Sequence, residues 1–441
     1  MKPFLGIAVL AMAAVGAAAL SQTTDKANRD PFQPAAEHHA HLLSPASAKL
    51  VNDPPQPAVE LPEDLARLLR DREKGWNDKA ALTALYTEDS LVLTRDPSWI
   101  RGRDEVIDHM STLYARPYRI TPVASGTEGS TGYVAGYFTR GEADAARHFG
   151  HFLWTVKKGA DGAWRIAAES PTFPGHQVRE PVSAEQLVAN LDEAGIRRAA
   201  VLSTAYWHGS PLMRKAEGDE YANVRAENDW TVQQVARFPD RLVALCSFNP
   251  LKDYALAEID RCAKIPQVKG FKLHVGNSRV DMLNAEHVEK LRRVFAAINE
   301  RRLAIVIHLW TQPYGREHAE AFLSKVLPAA PDIPVQIAHF AGGGPGYTDE
   351  ALEVFANAIA AKDPRTKNLY FDVATVADGQ TAETLRKFAE RIRQVGPQRV
   401  LFGTDMGPPP ARLSWLTFRT TVPLTEEEIK TIAGNVAPYL R

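Results

Sequence analysis

Four short apolar runs in this chain each end on a side chain able to bind a metal ion or move a proton: Leu303–His308, Val335–His339, Asn368–Asp372 and Arg399–Asp405. Each run reads as a buried strand with its polar group at or just past the C-terminal end. In parallel barrels the chemistry sits at that end, because the strand fixes direction while the loop after it is free to vary. His39 and His41 add two imidazoles at i and i+2, a spacing that puts both on one face of a strand. Lys272 and His274 repeat that spacing at the end of Val268–His274. Neutral imidazoles with a carboxylate suit a borderline-soft divalent ion such as zinc, and a position left open for water brings that water's pKa towards neutrality. Together these residues read as one assembled metal site.

Plainer accounts stand beside this one. His39 and His41 could belong to a solvated linker, His308 and His339 could be satisfied core histidines, and Asp405, ahead of Gly407 and three prolines, could cap a turn. Two histidines that both end apolar strands make coincidence the weaker account. Asp372 suits a hydrogen bond to a metal ligand and a purely structural one equally well. For Lys272 and His274 the functional and structural readings are nearly balanced.

The elements that must position these groups follow from the pattern after Pro181, where helices and buried strands alternate. Strands are expected at 199–204, 242–248, 268–274, 303–308, 334–339, 368–374 and 399–404. Helices are expected at 183–195, 223–237, 254–264, 284–300, 317–327, 349–362, 380–394 and 425–433. A repeat of roughly 30–40 residues is that of a βα unit. The count stops one strand short of a closed (β/α)8 barrel, and Glu37–Leu43 is the upstream segment able to supply it. Residues 60–172 then form an insert between strand 1 and helix 1. Its helices come first and its strands (132–140, 149–156, 164–168) follow, an α+β order. The insertion point is a βα loop, so the insert is expected on the catalytic face, where it would shape the pocket mouth. His148 and His151 fall in this insert and are read as lining it or facing solvent; His176 and His208 carry no assignment.

Composition narrows the function classes. At 441 residues the chain needs two or three units, and 45% apolar with 24% charged residues is ordinary for a globular protein. A net charge of −1 argues against a nucleic-acid or anionic-membrane partner. Lys2, the apolar run Phe4–Leu20 and the small residues Gly16–Ala19 read as a signal peptide, 1–19, followed by a linker, 20–35. The expectation is a periplasmic or secreted protein with no stable membrane association after cleavage. Residues 44–60 also have linker composition, and Cys246 and Cys262 read as buried thiols.

Residues 36–45 and 178–441 resemble the amidohydrolase-related family 2, the metal-dependent TIM-barrel hydrolases that include relatives of aminocarboxymuconate semialdehyde decarboxylase. The resemblance rests on His39-Ala40-His41-Leu42, Val268–His274, Ile307-His308, Ala338-His339 and Phe402–Asp405, with softer matches at Arg237–Leu242 and Gly434–Ala437. Residues 62–170 resemble the SnoaL/NTF2-like cone fold through Trp76–Lys79, Trp99–Gly102 and Gly162–Ala168. The implied fold class is α/β, a (β/α)8 TIM barrel with an inserted α+β NTF2-like cone. The resemblance implies His39, His41 and His308 as metal ligands, with Asp405 as the remaining ligand or the base. It implies His339 as the group that orients water, and Lys272 and His274 as substrate-binding. The implied cofactor is a divalent metal, zinc foremost; carboxylation of Lys272 to bridge two ions stays open. The implied activity is hydrolysis of an amide, ester or lactone of a small molecule by metal-activated water. Non-oxidative decarboxylation of a small carboxylic acid and non-catalytic small-molecule binding are the alternatives. A homodimer is a family-level expectation.

Overall fold

The computed structural model describes residues 30–51, 57–93, 99–113, 117–140, 147–172, 180–310, 314–405 and 410–441. The expected signal peptide, the linker up to residue 29 and His176 lie outside them. Two compact units are formed, one by residues up to Leu50 with Glu180–Arg441, the other by Val51–Arg179.

The first strand of the barrel unit, β1 (Ala36–Ala40), is buried along its whole length although it carries Glu37, His38 and His39. Hydrogen bonds make this tolerable, since a buried polar group is costly only when unpaired. His38 Nδ1 donates to the Phe402 carbonyl at 3.0 Å, and its Nε2 accepts from the Ala437 amide at 3.1 Å. Burial pushes the His38 pKa down to about 4, so the ring is neutral and can play both parts. Where linker composition is expected, Pro45–Val51 is a helix that buries Ser47, Ala48 and Leu50. Leu43 and Val182 pair through two backbone bonds, of 3.2 and 2.9 Å. The chain therefore leaves and re-enters the barrel unit at adjacent points.

The second unit is a six-stranded sheet with three helices, Glu63–Lys74, Lys79–Leu85 and Arg103–Leu113. Its strands are β2 (Tyr86–Leu93), β3 (Trp99–Arg101), β4 (Arg119–Glu128), β5 (Thr131–Arg140), β6 (Arg147–Lys158) and β7 (Trp164–Thr172), in the order β3-β2-β7-β6-β5-β4. Leu65, Leu68 and Leu69 of the first helix share a core with Phe138, Phe152 and Trp154 of the sheet. The helix Arg103–Leu113 and β4 are additions to the sequence reading. β4 (RITPVASGTE) is half-buried along most of its length and shows no clean apolar alternation. His148 and His151 both fall on β6, with His151 half-buried.

The remaining barrel strands are β8 (Arg198–Leu202), β9 (Leu242–Ser247), β10 (Val268–His274), β11 (Ala304–His308), β12 (Val335–Ile337), β13 (Leu369–Asp372) and β14 (Val400–Leu401). All pair in parallel, in the order β1-β8-β9-β10-β11-β12-β13-β14. The Ala40–Asp405 bridge joins the last strand's end to the first. The fold is an α/β TIM barrel. Alternation divides the side chains between two layers. Ile305 and Ile307 of β11 face the helices, whereas Val306 joins Ala36, Ala200, Leu202, Leu245 and Ala338 inside the barrel. The same alternation turns Lys272, His274, Gln336, His308 and Asp372 inward. β12 and β14 end two or three residues earlier than their apolar runs suggest, because the chain turns into the loops that carry His339 and Asp405.

One helix, Ala411–Thr421, was not expected after the proline run. It buries Ala411, Ser414, Trp415 and Phe418, an i, i+3, i+4, i+7 stripe, and begins directly after Pro410. Cys246 and Cys262 are buried and unbridged. Among the described residues no helix is long and apolar enough to cross a membrane.

Candidate metal centre

The centre is built where the barrel closes. His38 N donates to Phe402 O at 2.9 Å and Asp405 N to His39 O at 2.7 Å, so β1 and the end of β14 are stitched edge to edge. Glu37 splints the same seam: its Oε1 accepts the His39 and Thr404 amides, each at 2.9 Å. Burial pushes the Glu37 carboxyl up to about 8 despite those two bonds. Gly403 is required here, since a Cβ would lie 2.8 Å from that of His39. Asp405 then sits at φ 64° and His339 at φ 51°. Such left-handed conformations in non-glycine residues concentrate at functional sites.

Three imidazoles are oriented in the same way. His39 Nδ1 lies 3.0 Å from Asp372 Oδ2, His41 Nδ1 2.6 Å from the Leu202 carbonyl and His339 Nδ1 2.9 Å from the Ala374 carbonyl. A carbonyl or carboxylate oxygen can only accept, so Nδ1 carries the proton and Nε2 is left as an acceptor, which at His39 takes a hydrogen bond from Lys272 Nζ at 3.0 Å. Burial lowers the pKa of His39 and takes that of His41 well below the usual value, which keeps both rings neutral. The three Nε2 atoms converge on one carboxylate, at 3.4 Å (His39) and 3.5 Å (His41) from Asp405 Oδ1 and 3.9 Å (His339) from Oδ2. Burial alone would raise Asp405, but the positive potential of the groups around it, the Lys272 ammonium among them, outweighs that and holds it well below the ordinary carboxylate range. Lone pairs aimed at an anion repel it unless a cation lies among them, and the Lys272 ammonium, 3.0 Å from His39 Nε2, is one such cation. Among the described residues, the tightest set of metal-competent atoms is that of His39, His339 and Asp405, all within 4.8 Å of one another.

His308 stands beside this set, its ring centroid 4.8 Å from that of His339. Its Nε2 is buried with no hydrogen-bond partner. An orphaned imidazole nitrogen next to three lone pairs and a carboxylate is what a divalent-ion site requires. His274 stacks on His308 at 4.1 Å and 12°, and its Nδ1 accepts from the Asn277 amide at 3.1 Å. Lys272 is 1% exposed and lies on the centre's side of His39, its Nζ donating to His39 Nε2 at 3.0 Å. Burial lowers its pKa to about 8, against the pull of Asp372 and Asp405. It is the cation that the fold itself supplies to the centre.

Asp372 proves to be a hub. Its Oδ2 accepts from His39 Nδ1 and from Gln336 Nε2 at 2.7 Å, and its Oδ1 from the amides of His339 (3.0 Å) and Ala374 (3.2 Å). Burial pushes its carboxyl up, but the His39 contacts and those donors hold it well below the usual range. Gln336 in turn donates to His38 O at 3.2 Å and accepts from the Tyr439 hydroxyl. Glu37, Gln336 and Tyr439 were not singled out from the sequence. Glu37 could have been, two residues before His39 in the same alternating series; Gln336 is the lone polar residue in its apolar run. Tyr439 carries no such signal.

A cavity of about 410 Å³ opens onto this cluster, with His308, His339 and Asp405 among its lining residues. Trp310, Tyr347 and Asp378 come from the loops after β11, β12 and β13. Lys272 and His274 are not on its wall.

A TIM barrel with a candidate divalent-metal site at its closing seam is the class that the fold and the donor set define. The sequence profile described as Amidohydrolase matches residues 208–435, over half of the chain, which belongs to that family. Among solved structures, 5-carboxyvanillate decarboxylase from Sphingomonas paucimobilis is 19% identical, covering 56% of this chain and 79% of its own, with a TM-score of 0.41. A dihydroxybenzoic acid decarboxylase from Polaromonas, solved with bound manganese, is 17% identical, covering 56% and 82%, with a TM-score of 0.39. An NTF-2-like protein of unknown function from Shewanella oneidensis is 20% identical, covering 25% and 96%, with a TM-score of 0.21. No curated protein matches the chain.

Proposed function

We propose that this protein is an exported, metal-dependent hydrolase that cleaves an amide, ester or lactone of a small molecule. The observation that carries this reading is the convergence of three Nε2 lone pairs on Asp405, each ring held from behind through Nδ1. His39, His41, His308 and Asp405 would hold the ion, zinc foremost. A bound divalent ion supplies Lewis acidity, polarising a carbonyl and lowering the pKa of water.

The protein's own groups do the remaining work. Asp405 is ionised at neutral pH, so its outer oxygen can accept a proton from attacking water. His339 lines the cavity with a bare Nε2, placed to take a hydrogen bond from that water or to pass its proton to the leaving group. Asp372 fixes the tautomer of His39 and, through the His339 amide, the turn that aims the second imidazole. Lys2 and the apolar run behind it support export.

The test is elemental mass spectrometry of the wild type and a His39→Ala/His41→Ala variant, followed by a panel of esters, lactones and amides with carbon dioxide trapped in parallel. One or two bound ions lost in the variant, with hydrolysis lost alongside, is the expected result. Carbon dioxide release without hydrolysis would replace the proposed reaction by decarboxylation. A wild type that binds no ion would remove the proposal.

A further inference from the structure

The cavity has a second polar group that this chemistry leaves unused. Asp378 lies on its wall, half-buried, and among the described residues no cation pairs with it. None of the cavity's lining residues is lysine or arginine. Burial raises the pKa of the Asp378 carboxyl and is the one influence acting on it, as expected for a carboxylate left without a counter-charge.

The aromatic side chains of the same wall are placed with care. Tyr347 is 72% exposed, an unusual position for so large a ring. Tyr347 stands in the first turn of the helix Pro345–Ala360, and the loop before that helix holds six consecutive residues, His339–Gly344, at positive φ. That path brings its backbone close against both residues: a Cβ on Gly342 would lie 2.3 Å from that of Trp310, and one on Gly343 3.1 Å from that of Tyr347. Two aromatic rings and an unpaired carboxylate on one cavity wall favour a cationic nitrogen, through ring faces on one side and charge on the other. At about 410 Å³ the cavity is within the roughly 300–1,000 Å³ range of small-molecule sites.

We propose that the substrate carries an ammonium or other cationic nitrogen, held by Asp378 with Trp310 and Tyr347 beside it, while the bond to be broken lies over His339 and Asp405. Asp378 is thus a specificity-determining residue. The inference rests on the hydrolase reading for the reacting end alone.

The test uses the full chain, metal-replete, and two one-ring probes of matched shape: benzylammonium and benzyl alcohol, titrated calorimetrically at neutral pH. Benzylammonium should bind about tenfold tighter than benzyl alcohol, the size expected of one partly buried charge pair. Asp378→Asn should bring it to the level of the alcohol, whereas Asp378→Glu should keep most of the preference. Metal content and benzyl alcohol binding should not change in either variant. Benzylammonium binding that is absent or no tighter than that of the alcohol, or a preference that survives Asp378→Asn, would overturn the proposal. Because the readout is binding, its failure is distinct from a failure to find metal or hydrolysis.

Discussion

Replacing Asp372 by Asn tests the account of the metal centre most directly, because the substitution keeps size and shape and changes one acceptor atom into a donor. In the native protein Oδ2 accepts from His39 Nδ1 at 3.0 Å and from Gln336 Nε2 at 2.7 Å. An Asn can satisfy the His339 and Ala374 amides with its oxygen, but its NH2 then faces two donors. His39 escapes by moving its proton to Nε2, which occupies the lone pair meant for the ion and sets that proton against Lys272 Nζ, 3.0 Å away. Gln336 escapes only by flipping its amide, which breaks its bond to His38 O and sets its NH2 against the Tyr439 hydroxyl. At least one buried donor is left unsatisfied, a loss of about 1–3 kcal/mol in folding stability. The displaced tautomer should weaken ion binding about 10–100-fold. Urea denaturation of the metal-free protein reads the first effect, and zinc titration against a competing chelating dye the second. Ion affinity within twofold of the wild type would refute the tautomer argument, whatever happens to stability.

Glu37 titrates at about 8 in the folded state against an unperturbed 4.5, so folding binds its proton more tightly. Its contribution is fully present below 4.5 and is lost as pH rises through 8. The metal-free protein should therefore lose stability across that window, and Glu37→Gln, which keeps the bonds to His39 and Thr404, should flatten the dependence measured by denaturation. Gly342→Ala, at φ 102° and with a Cβ 2.3 Å from that of Trp310, should destabilise by about 1–3 kcal/mol and weaken benzylammonium binding; a wild-type melting curve would refute the close-packed loop. Asp405→Ala should abolish turnover in the hydrolase panel. A variant that retained the wild-type rate would move the centre's chemistry away from this carboxylate.

The barrel's outer layer was open to reading from sequence, since β8 to β11 are apolar runs and the helix Ala285–Glu300 buries an ordinary apolar stripe, although the helix Glu220–Ala236 buries Glu227, Asn228 and Thr231 beside Val224 and Val235. β1 was less so: its buried Glu37 and His38 are tolerated because they accept from the Thr404 and Ala437 amides and His38 donates to the Phe402 carbonyl, and hydrophobicity does not register such bonds. The helix Ala411–Thr421 had its stripe in plain view, hidden by prolines that start it rather than end it. At the metal centre the spacing of His39 and His41 and the strand-end histidines were visible. Their anchors were not, because Leu202 and Ala374 serve through backbone carbonyls that any residue would offer. The left-handed run His339–Gly344 is likewise invisible at its first three positions, where no glycine announces it.

The seam between β1 and β14 has a consequence for how the molecule comes into being. His38 and Phe402 are 364 positions apart, and even the anchor of His41 on Leu202 spans 161. Contacts this distant form late, after the entropy of closing long loops has been overcome. A growing chain therefore holds histidines but no ion trap until nearly its last strand has been made. Metal uptake during refolding should coincide with the final kinetic phase, so the bound ion would mark a finished barrel.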